Sequence, residues 1–175
     1  ACKANPSDAK AFYYVGNFWF ANRQYVEAQE CWETSVKLDD RFAIIHRNLA
    51  LLYYNKTNQK ELAVKHLERA FKIDNSDARL LMELDQLYKK INVSIDKRLS
   101  LLEQYIELTN SRDDLYLERI SLYNLKGDFE KAKELIENRQ FHPWEGGEGK
   151  VPFQYLTCYT ELAKKNINLK NFDYA

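Results

Sequence analysis

Apolar and polar positions along the chain alternate with a helical period, and the helical stretches recur. Ala28, Trp32 and Ser35 stand at i, i+4 and i+7, which is one face of a helix. The same spacing returns as Ala63, Leu67 and Ala70, as Arg98, Leu102 and Tyr105, and as Ala132, Ile136 and Arg139, with first members 35, 35 and 34 residues apart. About 12 or 13 residues ahead of each set stands a second signature. It reads Val15-Gly16 with Trp19, Leu49-Ala50 with Tyr53, Leu84-Asp85 with Tyr88, and Arg119-Ile120 with Tyr123. Small residues such as Gly16 and Ala50 suit a close helix crossing, and the ring three places later fills the gap beside it. The pattern predicts helices over 8–21, 24–37, 42–55, 59–72, 77–90, 95–108, 112–125, 128–139 and 151–167. Polar turns at Asn55 to Asn58, Asn92 to Ser94 and Gly127-Asp128 separate them, and Asp8 and Ser76 are placed to cap helix starts.

On these residues the chain resembles the tetratricopeptide repeat family across 9–141, with a weaker fifth copy from about 151 onward. The resemblance implies an all-α fold, an α-α superhelix built as a solenoid of stacked antiparallel helix hairpins. It divides the chain into four hairpins over 1–141, a glycine-rich loop insertion at 142–150 and a truncated fifth repeat at 151–175. The third copy departs from the pattern, with Asp85 at the small position and Arg98 where alanine is expected. Leu169 to Ala175 repeats Leu125 to Ala132 with one residue fewer, and Asn5-Pro6-Ser7-Asp8 reads as the tail of a preceding repeat. The expectation is a piece of a longer solenoid, whose severed ends would favour self-association.

Composition narrows the partners. The 26 basic and 26 acidic side chains balance, so no long-range field favours nucleic acid or an anionic membrane. No apolar run approaches the length of a membrane span, and a soluble chain is expected, its compartment unread. Twelve tyrosines and nine phenylalanines against three prolines suit rings wedged between helices. Cys2, Cys31 and Cys158 are too few and too far apart for a disulfide framework or a zinc site, and nothing in the chain calls for a cofactor.

In the family, the first helix of each hairpin lines a concave groove. Carried over by position, that groove takes Lys10, Tyr13, Asn17 and Phe20, then Ile44, Arg47, Leu51 and Tyr54. Arg79, Met82, Gln86 and Lys89 follow, then Asp114, Leu117, Ser121 and Asn124. Arg47, Arg79 and Lys89 give its centre a basic character, suited to a peptide with an acidic residue beside an apolar one. Family members that hold a terminal carboxylate use a set of lysine, asparagine and arginine positions. Here Asn17 and Asn48 fill the asparagine places and Arg79 one basic place, but Tyr13 and Glu83 stand at the others. A terminal carboxylate would lose two cations and meet one like charge. The alternative for these arginines and lysines is a solvated helix face, with Phe20 and Tyr54 covering the core edge.

The segment from Phe141 to Lys150 carries three of the five glycines and adds about nine residues to the repeat. His142, Trp144, Glu145, Glu148 and Lys150 bring an imidazole, an indole, two carboxylates and an ammonium together; the carboxylates suit acid–base work and the indole suits a sugar ring. Against this stands a rigid turn in which Trp144 packs on the hairpin ends and a glutamate caps an amide. His46 and His66 lie on repeat helices and do not join the loop. The segment also resembles a motif in the C-terminal tetratricopeptide region of large bacterial proteins whose upstream domain is similar to carbohydrate-active enzymes. That would make the chain an accessory region of such an enzyme, meeting carbohydrate only through its parent.

Taken together, the residues describe a non-catalytic scaffold module whose partner is a protein, a peptide or the rest of its own parent chain. No nucleophile, base and orienting group have predictable proximity.

Overall fold

The computed structural model describes residues 7–144 and 146–168. The expectations placed on Cys2, Asn5, Pro6, Glu145 and residues 169–175 lie outside the described residues. Among the described residues the secondary structure is helical throughout, and the helices form two compact units, one ending at Ile91 and the other beginning at Asn92.

In the first unit α1 (Ala9–Ala21) pairs with α2 (Tyr25–Leu38), α3 (Ala43–Asn55) pairs with α4 (Lys60–Ile73), and α5 (Ala78–Lys90) packs on α4. The second unit holds α6 (Ile95–Gln104), α7 (Ile106–Asn110), α8 (Asp113–Lys126), α9 (Phe129–Glu137) and α10 (Lys150–Asn168). Starts are capped by Asp8, Asp77, Ser94 and Asp128, each accepting from a first-turn amide. At the fifth helix the cap is Asp77 and not Ser76, whose hydroxyl instead donates to Asp74 at 2.7 Å.

The turns repeat as faithfully as the side chains. Arg23, Asn58, Asn92 and Gly127 all take left-handed backbone, with φ of 60°, 53°, 60° and 84°. Asparagine and glycine adopt that region readily, whereas Arg23 does so at a cost of about 1 kcal/mol. After three of these turns an amide returns to the carbonyl of the signature aromatic: Gln24 to Trp19, Gln59 to Tyr53 and Asp128 to Tyr123, at 2.9, 2.9 and 3.0 Å.

The same aromatics join successive hairpins. Tyr53 on α3 donates its hydroxyl to Glu33 on α2 at 2.6 Å, Tyr88 on α5 donates to Glu68 on α4, and Tyr123 on α8 donates to Glu103 on α6 at 2.7 Å. Burial, and then the facing carboxylate, push all three phenols above their ordinary range.

One expected helix is broken. The span 95–108 is interrupted at Tyr105, whose backbone (φ −110°, ψ 50°) leaves the helical region. At the equivalent places Ser35 and Ala70 are fully buried, and a phenol ring does not fit the space of a small side chain. The Leu102 carbonyl is satisfied by the buried Thr109 hydroxyl at 2.9 Å. The two exceptional charges of that repeat are both buried, Asp85 in the first unit and Arg98 in the second, where Arg98 donates to Glu118 at 2.7 Å.

His46 and His66, which lie on repeat helices apart from the glycine-rich loop, meet each other between α3 and α4. His46 Nε2 lies 3.1 Å from the Asp40 carbonyl, which only accepts, so the proton sits on Nε2 and Nδ1 becomes an acceptor. His66 Nδ1 then donates to His46 Nδ1 at 3.0 Å, and the Tyr53 ring packs against His66. Burial holds His46 below its ordinary value; burial, then His46 and Lys65, push His66 down to about 4.

Two predictions follow from this packing. A methyl group at Gly16 would place its Cβ 2.5 Å from Nε1 of the buried Trp32, which donates to the Tyr13 carbonyl and to Asn17. Alanine gains about 1 kcal/mol of helix propensity, but overpacking costs about 1–3 kcal/mol and a strained indole bond adds about 1. Gly16→Ala therefore lowers the thermal midpoint; a raised midpoint would mean that α1 and α2 do not cross closely here. For the histidine pair the fold refuses protons that an unfolded histidine accepts near 6.5, so stability is complete above that value. It is lost as pH falls toward about 4. The urea midpoint of the protein should fall between about pH 7 and about pH 5, and His66→Gln should flatten that slope.

Candidate functional site

The first unit contains a small, open cleft between α3 and α5, floored by α4. Ala50, Leu51, Leu67 and Leu87 give it an apolar interior, while Tyr54, Asn55, Glu83, Gln86 and Lys90 stand around it. The 3.6-residue period explains the set: Ala50, Leu51, Tyr54 and Asn55 share one face of α3, and Glu83, Gln86, Leu87 and Lys90 one face of α5.

At one end Glu83 accepts from Arg47 Nε and from a terminal Arg47 nitrogen, at 2.6 and 2.5 Å. This fork is mostly withdrawn from water, with the two side chains 17% and 13% exposed. The glutamate also accepts from Arg79 Nε at 3.2 Å. Hydrogen bonding to Glu83 raises the Arg47 pKa further above its ordinary value. At the other end the Lys90 ammonium lies 5.1 Å from the centre of the Tyr54 ring, a cation–π contact.

The residues expected in a groove are therefore dispersed. Tyr54 and Gln86 line the cleft and Arg47 and Arg79 border it through Glu83, whereas Tyr13 and Asn17 sit one hairpin away on α1. The Asn17 amide oxygen accepts from Trp32 at 3.1 Å and from Asn48 at 3.4 Å, which joins α1 to α3. Lys89 is exposed beside the cleft, and its neighbour Lys90 lines it. Phe20 lies between the rings of Tyr25 and Trp32. In the second unit the groove expectation fails at Leu117 and Asn124, which are buried because α10 covers that face of α8. Leu117 belongs to the core and Asn124 donates to Gln154 at 2.9 Å. Sequence reasoning missed Lys90 and the pairing of Glu83 with Arg47; for the latter the only signal was a separation of 36 residues, close to one repeat.

The glycine-rich segment is built into the second unit. Asp113 accepts from Arg139 Nε at 2.6 Å and from the His142 amide at 2.9 Å, and it also meets a terminal Arg139 nitrogen and the His142 ring. Burial opposes ionisation of Asp113, but the His142 amide and Arg139 outweigh it and hold the carboxyl below its ordinary value. Phe141 and Trp144 pack with Val151 and Tyr155 against Tyr116, Leu117, Ile120 and Ile136. A side chain at Gly147 would overlap the Trp144 indole, so one face of that ring is occupied by backbone. Glu148 and Lys150 are exposed. Among the described residues no group of three or more His, Cys, Asp or Glu side chains could hold a metal ion. No helix among them is long and apolar enough to cross a membrane.

No family model matches the chain. It is 22% identical over all 175 residues to anaphase-promoting complex subunit 3 of Schizosaccharomyces pombe and covers 26% of that protein, so it spans about a quarter of the length of this curated relative. Among solved structures it is similar to YrrB, described as a TPR protein with an unusual peptide-binding site. There the TM-score is 0.67 at 14% identity, covering 99% of this chain and 84% of that one. It is also similar to the first TPR of Spaghetti (RPAP3) bound to the HSP90 peptide SRMEEVD. In that case the TM-score is 0.54 at 16% identity, covering 68% of this chain and 93% of that one. The chain has the all-α fold of tetratricopeptide repeat proteins, built from antiparallel helix hairpins.

Proposed function

We propose that the chain is a non-catalytic interaction module that binds a peptide or a segment of a neighbouring domain in the cleft between α3 and α5. The observation that carries this reading is the cleft itself. A shallow apolar hollow opens beside Tyr54, with Leu51 partly exposed over the buried Leu67 and Leu87, cationic Lys90 at its mouth and Arg79 at its far end. An apolar side chain fills the interior, and an adjacent carboxylate meets Lys90, which complements the local charge. YrrB and the RPAP3 domain, similar in fold, are described with a peptide-binding site and a bound peptide.

A second reading rests on the loop. In it, the region from His142 to Lys150 docks against the catalytic domain of a carbohydrate-processing parent. An open hollow lined by Phe141, Pro143, Trp144, Glu148 and Val151 favours it. The covered face of Trp144 and the bracing of His142 by Asp113 weigh against a sugar platform and toward a structural turn.

The cleft is tested on an array of C-terminally amidated decapeptides in which each apolar residue type is placed beside aspartate, glutamate or serine. Binding should favour the acidic–apolar pairs, and Leu51→Glu should reduce it at least about tenfold while leaving the circular dichroism spectrum unchanged. Binding that ignores both the acidic neighbour and Leu51→Glu would remove the cleft from the function.

A further inference from the structure

We propose that Glu83 decides what the cleft accepts: it is an internal carboxylate filling an anion site formed by Arg47 and Arg79, so the partner is an internal stretch of chain and not a free carboxyl terminus. This rests on the cleft being the binding site, and adds which part of a partner it reads.

Arg47 presents its planar fork to Glu83 in the bidentate arrangement that a guanidinium uses for any carboxylate. Arg79, on the same helix as Glu83 and four residues before it, adds a third donor to that carboxylate. Glu83 lines the cleft, so the atoms it occupies are those a ligand carboxylate would take at this end. To enter, a ligand must displace Glu83, and the displaced side chain, only 13% exposed where it stands, must give up three charge-assisted bonds. The exchange replaces like with like at the arginines and strands one carboxylate, so it is unfavourable. A neutral main-chain segment requires no displacement. It can lay an apolar side chain over Leu51 and Leu87 and keep its acidic side chain at the Lys90 end, where the ammonium rests on the Tyr54 ring and not on an acid of the cleft. Glu83 thus acts as a specificity residue through repulsion and prior occupancy.

The test compares fluorescein-labelled SRMEEVD carrying a free carboxyl terminus with the same peptide amidated, by fluorescence polarisation. The full 175-residue chain should not favour the free acid over the amide. Glu83→Gln frees both guanidiniums and should favour the free acid at least about tenfold; adding Arg47→Met should abolish that preference. Thermal unfolding checks each variant, and Glu83→Met, which keeps the aliphatic stem, repeats the measurement if the glutamine variant folds poorly. A preference for the free acid already present in the unmodified chain overturns the inference, as does the lack of one in both Glu83 variants. Because the readout is the difference between acid and amide, it stands apart from the Leu51→Glu result: loss of binding there with no acid preference here would leave the cleft and remove the role of Glu83.

Discussion

A hydrogen bond from a signature tyrosine to a glutamate on the preceding hairpin recurs three times and sets how the hairpins stack. Tyr53 to Glu33, Tyr88 to Glu68 and Tyr123 to Glu103 each reach back 20 residues, from the first helix of one repeat to the last long helix of the one before. A helix hairpin buries one apolar face internally and exposes another, so its stability depends on a neighbour. The tyrosine ring contributes apolar area to that second face, while its hydroxyl supplies direction. A bond to a carboxylate contributes about 1.5–3 kcal/mol and sets the register in which Leu49, Leu52, Leu81 and Leu84 meet their partners. The cleft is a consequence: once α4 carries α5 in this register, one face of α3 stands opposite one face of α5 over Leu67.

The charges show where the repeat was free to drift. Ala28, Ala63 and Ala132 are fully buried at one crossing position, and Arg98 at the same position in the third copy is nearly as buried, its guanidinium engaged by Glu118. A buried cation without such a partner would cost several kcal/mol. Arg119 is treated alike, held by both oxygens of Glu103, which also receives the Tyr123 hydroxyl. In the second unit buried arginines are thus each matched by a glutamate on another helix, and the inserted segment is anchored there through Asp113. In the cleft the same device limits function: the pair that neutralises Arg47 removes the cation that a ligand would otherwise seek.

Local structure was readable because its causes are local. Helix spans follow from the i, i+4, i+7 spacing, and the observed helices begin and end within two residues of most of the expected spans; the exceptions are the break at Tyr105 and its extension through α7. Three of the left-handed turn residues are the glycine or asparagines of turns that composition marks, whereas Arg23 carries no such signal. Gly16 was legible as a close-crossing position from its missing side chain, but the ring nearest to it is Trp32 of α2 and not Trp19, the ring three places along that spacing had assigned, because the crossing partner lies on another helix.

What spacing could not supply is which side chains meet at a distance. One residue along a helix turns a side chain by about 100°, enough to make Lys90 rather than Lys89 line the cleft. The carboxylate facing Arg47 is 36 residues away, and the partner of His46 is 20 residues away on another helix. Leu117 and Asn124 were placed on an open face by counting, yet α10 covers them, since counting along one helix says nothing of what packs over it. The amino-acid order by itself determined the helices, their turns and the repeat, because those depend on neighbours along the chain. The occupancy of the arginine site and the packing of Phe141 and Trp144 onto the core were decided only by the tertiary structure, because both depend on groups brought together across helices.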